Sequence, residues 1–322
     1  MTSEAEPAPP APAHAPLARE ERPFMAIGLR LLAMFSISIM FASAKLLNGW
    51  GVNLVETLFY RQALALPMVF AWIAFTDGPG AVRTSRIGTH SSRTALGLFG
   101  MILNFGSYIL LPLTEATTIG FTMPIFGTIL SALILRERTG IHRWSAVIMG
   151  FLGVIIMTRP DSGHFPLIGV AVALTGAVVT ALISILLREL GRTEGAAVTV
   201  FWFTFLSVPP LSVLMIFYAQ PHDTATWALL VLMGLSGGIA QLCMTGALRW
   251  APVSVVLPMD YSTIIWSTIL GWLIWNDWPL VTTFIGATFI VASGLYIALR
   301  EHLRIRRTRL RHQAHPAQRV KG

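Results

Sequence analysis

Apolar runs of about 20 residues recur along the chain from residue 25 to residue 299, most of them joined by a handful of polar residues. A helix of that length, rising ~1.5 Å per residue, crosses the ~30 Å hydrocarbon core of a bilayer. No other feature narrows the fold so far. The backbone of such a run has to be satisfied inside helices, because lipid offers no hydrogen-bond partners. Charged residues make up only 12% of the chain, about half the share of a soluble domain. The sequence therefore predicts an all-α integral membrane protein.

Ten spans are expected, over 25–47, 54–76, 94–113, 116–135, 141–158, 166–187, 196–218, 226–248, 252–275 and 279–299. Charge gives their orientation. With the N-terminus inside, 19 of the 23 Lys and Arg residues fall in cytoplasmic segments, Arg159 alone falls outside, and Arg30, Lys45 and Arg61 fall within spans. Such a bias places both termini in the cytoplasm. Residues 1–23, rich in Pro and Ala, read as a disordered tail. Residues 300–322 form a basic tail suited to an anionic inner leaflet rather than to nucleic acid.

Two stretches, FGTILSALILRE from Phe126 and WSTILGWLIWND from Trp266, are versions of one segment. Shifted by 140 positions, Thr128, Ile129, Leu130, Leu133 and Ile134 fall on identical residues and Glu137 falls on Asp277. One residue of insertion later, Gly153 falls on Gly294. Five spans separate the copies, an odd number, so the second copy runs upside down. The chain reads as two inverted five-helix repeats, 24–158 and 166–299, a common plan of secondary transporters.

These residues resemble the drug/metabolite transporter superfamily, in particular its ten-helix EamA-type permeases with two EamA repeats. The resemblance covers about 27–299. It rests on Lys45 closing the first helix, on ETLFYRQALALP from Glu56 to Pro67, and on TILSALILRE followed by a Gly-bearing helix. The second copy departs from the pattern: NDW replaces the usual acidic end, and no basic residue matches Arg61. The resemblance implies an inner-membrane carrier of small metabolites, from a branch that takes amino-acid-like or nucleoside-like molecules, S-adenosylmethionine among them.

Charges within a span cost ~2.5–3.5 kcal/mol each on insertion scales and so default to functional candidates. Arg61 and Asp260 are expected near the midplane from opposite halves. There they bind a substrate anion and a substrate cation or proton, or they pair with each other. Lys45 and Glu56, near the outer ends of neighbouring helices, read as an ion pair or an outer gate. Glu115 is expected at the outer end of the third helix, and Arg30 is within snorkelling reach of the inner interface and needs no role. Asn104, Tyr108, Gln241, Tyr261, Trp266 and Trp202 are candidates to line a cavity. Pro67, Pro124, Pro209, Pro210 and Pro258 would interrupt helices.

The single cysteine, Cys243, excludes an internal disulfide and reads as a core residue. All eight histidines are expected in loops or tails, and there is no P-loop or metal-ligand spacing. An enzyme and an ATP-driven pump are therefore not expected, and no cofactor is called for. The expected partners are a small-molecule substrate and membrane lipids, with a homodimer as an option. The competing reading is a non-transporting membrane scaffold or a lipid-handling protein.

Overall fold

The computed structural model of the chain describes residues 22–134, 140–159, 166–191 and 193–314. The tail before residue 22, Glu137 at the end of the first repeated segment, and the chain beyond residue 314 lie outside them. The helices are α1 (Pro23–Gly49), α2 (Leu54–Thr76), α3 (Ile87–Leu110), α4 (Leu113–Gly120), α5 (Met123–Leu133), α6 (Ile141–Thr158), α7 (Leu167–Leu190), α8 (Ala196–Tyr218), α9 (Thr224–Trp250), α10 (Val253–Val256), α11 (Ser262–Trp275) and α12 (Val281–Ala314). No strand occurs among the described residues. Eight helical segments, with α4–α5 counted as one, are long and apolar enough to cross a membrane. The other two expected spans correspond to α3, whose first turns are polar, and to the interrupted stretch from α10 to α11. The basic tail continues α12 as helix through Ala314.

Two of the expected spans are broken rather than continuous. Between α4 and α5 the chain turns at Phe121 and Thr122, where the Thr122 hydroxyl and N–H both donate to the Ile119 carbonyl. Pro124 follows in the first turn of α5, where its missing N–H costs nothing. Between α10 and α11 a tight 3-10 turn, Leu257–Tyr261, holds Pro258 in its first turn. By contrast Pro67 and the Pro209–Pro210 pair lie inside continuous helices. In those helices each ring frees a carbonyl one turn back.

The side chains sort as lipid requires. Phe75, Ile216 and Phe217 are largely exposed at 90%, 78% and 78%, while Ser38, Thr118, Thr204 and Ser207 are buried. Each of those four hydroxyls donates to the carbonyl four residues back in its own helix, so none is stranded in an apolar interior.

Helix α1 packs on α9, α3 on α7, and α2 on both α8 and α9; α3 also meets α8, α1 meets α11, and α4 and α5 meet α7. Helices α4 and α11 pack together, as do α6 and α12. The α6–α12 contact is backbone on backbone. A methyl added at Gly153 would meet the Gly286 carbonyl oxygen at 2.7 Å, and one added at Gly286 would meet that of Gly153 at 2.4 Å. Small residues are the usual means of bringing membrane helices this close.

Candidate functional site

Arg61 lies seven residues into α2, ~10 Å along it. Its Nη1 donates to Gln62 Oε1 at 2.6 Å and touches Met101 Sδ of α3 at 3.4 Å. Gly237 of α9 makes room for it: a methyl there would sit 3.4 Å from Arg61 Cγ and 3.0 Å from Met40 Sδ. Arg61 Nε and Gln62 Nε2 are buried without a partner in the protein. Arg93 stands on the Met101 face of α3, two turns below it. Its guanidinium lies 3.8 Å from the centre of the Phe203 ring of α8, and its Nε and Nη1 are buried and unpartnered. From the sequence Arg93 is expected in a loop, because THSSR is polar. In the structure α3 begins at Ile87 and buries both His90 and Arg93. A helix start that faces protein tolerates polarity that lipid would not.

Asp260 does not pair with Arg61. Its carboxylate takes both arms of Arg30, Nε at 2.5 Å and Nη2 at 2.7 Å. Arg30 is buried at 5% exposure, so it does not snorkel. It needs a carboxylate, and the 3-10 turn before α11 supplies one. Beside it, Tyr261 faces Phe121 with ring centroids 4.7 Å apart. The two helix breaks therefore meet through their aromatic rings. A methyl at Gly294 would lie 2.5 Å from the Tyr261 hydroxyl oxygen.

Lys45 and Glu56 do not pair either, and here the sequence reading is corrected. Lys45 Nζ donates to the Leu111 carbonyl at 2.6 Å and stands 5.4 Å from the Trp275 ring centre. Glu56, fully buried, accepts from the Gln220 N–H and contacts His222 Nε2, both at 3.1 Å. The two residues share a depth but point to different neighbours, since α1 and α2 barely touch. Glu115 lies in the first turn of α4 and accepts from Thr283 at 2.9 Å.

At the other end of the bundle Glu194, in the α7–α8 loop, contacts His90 Nε2 at 2.5 Å and accepts from the Thr84 hydroxyl. Burial works to raise the Glu194 carboxyl. The hydrogen bonds from Thr84 and His90, with the charges of His90 and Arg86, outweigh it and hold the group below its ordinary value. One histidine leaves its expected place: His90 is a buried helix residue, whereas His222 stays in a loop, half-buried; each lies against a glutamate.

The remaining candidates are dispersed. Asn104 Nδ2 donates to the Gly100 carbonyl and to Thr180 of α7. Tyr108 stacks on Phe41 at 3.8 Å and hydrogen-bonds Thr117. Gln241 is half-buried on α9. Trp266 meets Phe35 edge-on at 4.9 Å, with its indole N–H buried and unpartnered. Trp202 is committed elsewhere: its N–H donates to the Val82 carbonyl at 2.8 Å, fastening α8 to the α2–α3 connection. Among the described residues no three His, Cys, Asp or Glu side chains gather as a metal site.

The sequence pattern of the EamA-like transporter family matches the chain twice, over residues 24–159 and 167–299. The chain is 26% identical to a riboflavin transporter of Vibrio cholerae, covering 81% of this chain and 88% of that one. It is also 26% identical to an S-adenosylmethionine uptake transporter of Rickettsia prowazekii, covering 84% and 91%. Against a pseudopaline exporter of Pseudomonas aeruginosa the identity is 25%, covering 84% and 94%. A solved crystal structure shares the fold at a TM-score of 0.57 and 18% identity, covering 85% of this chain and 96% of that one.

Proposed function

The chain belongs to the EamA-like transporter family, and from that premise we propose that it carries a small organic metabolite across the inner membrane by alternating access between two inverted five-helix halves. One observation carries this reading: the most extensive helix contacts between the halves survive exchange of the halves, although α12 on α5 has no matching α6 on α11 of like extent among the described residues. Let α1, α2, α3, α4–α5 and α6 correspond to α7, α8, α9, α10–α11 and α12. Then α1 on α9 becomes α7 on α3, α2 on α9 becomes α8 on α3, and α1 on α11 becomes α7 on α4–α5, and each is a contact the bundle makes. The pairs α2–α8, α4–α11 and α6–α12 map onto themselves. Two halves with interchangeable neighbours can exchange inward-open and outward-open forms around a site between them.

The contacts that cross between the halves fit that cycle. Arg30 with Asp260 and His90 with Glu194 hold the end expected to face the cytoplasm, and Glu56 with His222 holds the other. Opening either face has to part the contacts at that face. Arg61, at the junction of α2, α3 and α9, is the substrate contact, and Asp260 is the group free to trade Arg30 for a substrate cation or a proton. The substrate class we infer is amino-acid-like or nucleoside-like; the relative named for S-adenosylmethionine uptake supports it, beside others named for riboflavin and pseudopaline.

The test is counterflow in proteoliposomes loaded with S-adenosylmethionine, riboflavin or amino acids, with thermal shifts of the purified protein alongside. Saturable exchange and stabilisation by one of them support the reading. A scaffold or lipid-handling protein would show neither. A C-terminal reporter active only in the periplasm is expected to stay silent, and activity there would break the inverted-repeat topology.

A further inference from the structure

The sites already described leave one cluster unexplained. Arg61, Gln62 and Arg93 present four buried N–H groups with no acceptor in the protein: Arg61 Nε, Gln62 Nε2, and Arg93 Nε and Nη1. Gln62 is 1% and Arg93 9% exposed. All four are donors, and two of the three side chains carry a positive charge. The acceptor oxygen of Gln62 is already spent on Arg61. Among the described residues neither arginine has a carboxylate partner, and the charged group within electrostatic reach of Arg93 is Arg61 itself. Phe203 covers the flat face of the Arg93 guanidinium. That contact leaves the in-plane N–H edge unserved, because a ring attracts through its face and hydrogen bonds form at the edge.

The spacing is that of a clamp. Arg93 Nη1 lies 3.2 Å from where a Gly97 methyl would stand, and Arg61 Nη1 lies 3.4 Å from Met101 Sδ. Residues 97 and 101 are one turn apart on α3, so the two guanidiniums approach successive turns of one helix, each within electrostatic reach of the other. Two like charges within reach of each other, with buried donors unserved, favour an anion as their partner, since burying a charge is costly unless it is paired. Planar forks of this kind match carboxylate and phosphate oxygens. Phe203 of α8 and Gly237 of α9 come from one half, and the three donors come from the other. The cluster therefore lies at the junction that alternating access would open.

We propose that Arg61, Gln62 and Arg93 bind a compact oxyanion with two negative charges, a dicarboxylate or a phosphate group of the carried molecule, and that Arg93 is a binding residue equal in weight to Arg61. This deepens the carrier reading and rests on it. The probes are sodium phosphate and sodium succinate, with acetate and chloride at matched ionic strength, in thermal-shift titrations of the purified full-length protein. Phosphate or succinate is expected to stabilise saturably where acetate and chloride do not, and which of the two does so separates a phosphate from a dicarboxylate. Arg93→Gln is expected to weaken that response at least tenfold, and Arg93→Lys less. Because Arg93→Gln removes one of two like charges, the unliganded protein should melt no lower than wild type. Equal responses in wild type and Arg93→Gln, no response to either anion, or a lowered melting point with the response intact would overturn the proposal. Counterflow in proteoliposomes is scored separately. Exchange of a metabolite without any anion response loses the clamp and keeps the carrier. An anion response without exchange does the reverse.

Discussion

Arg30 and Arg61 sit alike in their helices and unlike in their surroundings. Each lies seven residues from the start of its helix, in α1 and α2 respectively. Arg30 is closed by the Asp260 carboxylate, both oxygens taken. Arg61 meets an amide, a thioether and a second arginine. The first cation is neutralised by the fold. The second has no carboxylate partner among the described residues, and in the proposed carrier it is the ligand that neutralises it. Depth in the membrane sets the cost of a charge, and the neighbour decides whether the protein itself meets that cost.

The comparison breaks most easily at Asp260. Asp260→Ala strands Arg30 in the interior, and breaking a buried pair this way costs roughly 3–5 kcal/mol. Thermal melting of the purified protein should show that loss, and Arg30→Met with Asp260→Leu together should recover most of it. A melting point unmoved by Asp260→Ala would mean that the pair does not hold the halves.

Gly97→Ala comes next. Its methyl would lie 2.6 Å from Phe203 Cε2 and 3.2 Å from Arg93 Nη1. Overpacking of that kind costs about 1–3 kcal/mol, and the displaced guanidinium should weaken substrate binding severalfold. A variant that keeps full affinity would separate Arg93 from the site.

Arg61→Met sharpens the contrast from the other side. Because no carboxylate is left behind, its stability cost should stay within about 1 kcal/mol, near the net worth of one hydrogen bond, while counterflow is lost. A collapse in stability like that of Asp260→Ala would make Arg61 a structural residue.

The smallest effect is at Glu194, outside the spans. Its carboxyl is held low, so the contact stabilises the protein above the ordinary glutamate range and the contribution is lost as pH falls through the lowered value. Glu194→Gln should therefore melt below wild type at neutral pH, with the gap closing below about pH 4. A gap that stays constant from pH 3 to pH 7 would remove the charge from that contact.

Much of the architecture can be read in the sequence, because lipid thickness imposes run length and hydropathy. Pro124 and Pro258 mark both helix breaks for a like reason, since a missing N–H acts locally. Azimuth cannot be read. Lys45 and Glu56 share a depth, yet one faces the start of α4 and the other the α8–α9 loop. Arg30 and Asp260 stand 230 positions apart, and nothing local ties them. Arg93 hides in a polar stretch whose helix begins seven residues before its apolar run, and its signal, an arginine closing that polar lead-in, is shared with any interfacial loop. Trp202 has the composition of a cavity wall and the position of a fastener.

The crossing of Gly153 and Gly286 carries a mechanical consequence. Two backbones in contact have no layer of side chains to shear between them. A slide of one residue, ~1.5 Å, would drive the Gly286 carbonyl or Phe289 Cβ, already 2.7 Å and 2.9 Å from the Gly153 Cβ position, into the facing chain. Close backbone packing at that point resists a slide of α6 along α12 more than a swivel about the crossing. In the proposed alternating-access cycle this joint would serve as a pin, keeping the two halves together at one crossing while the rest of each half turns about it.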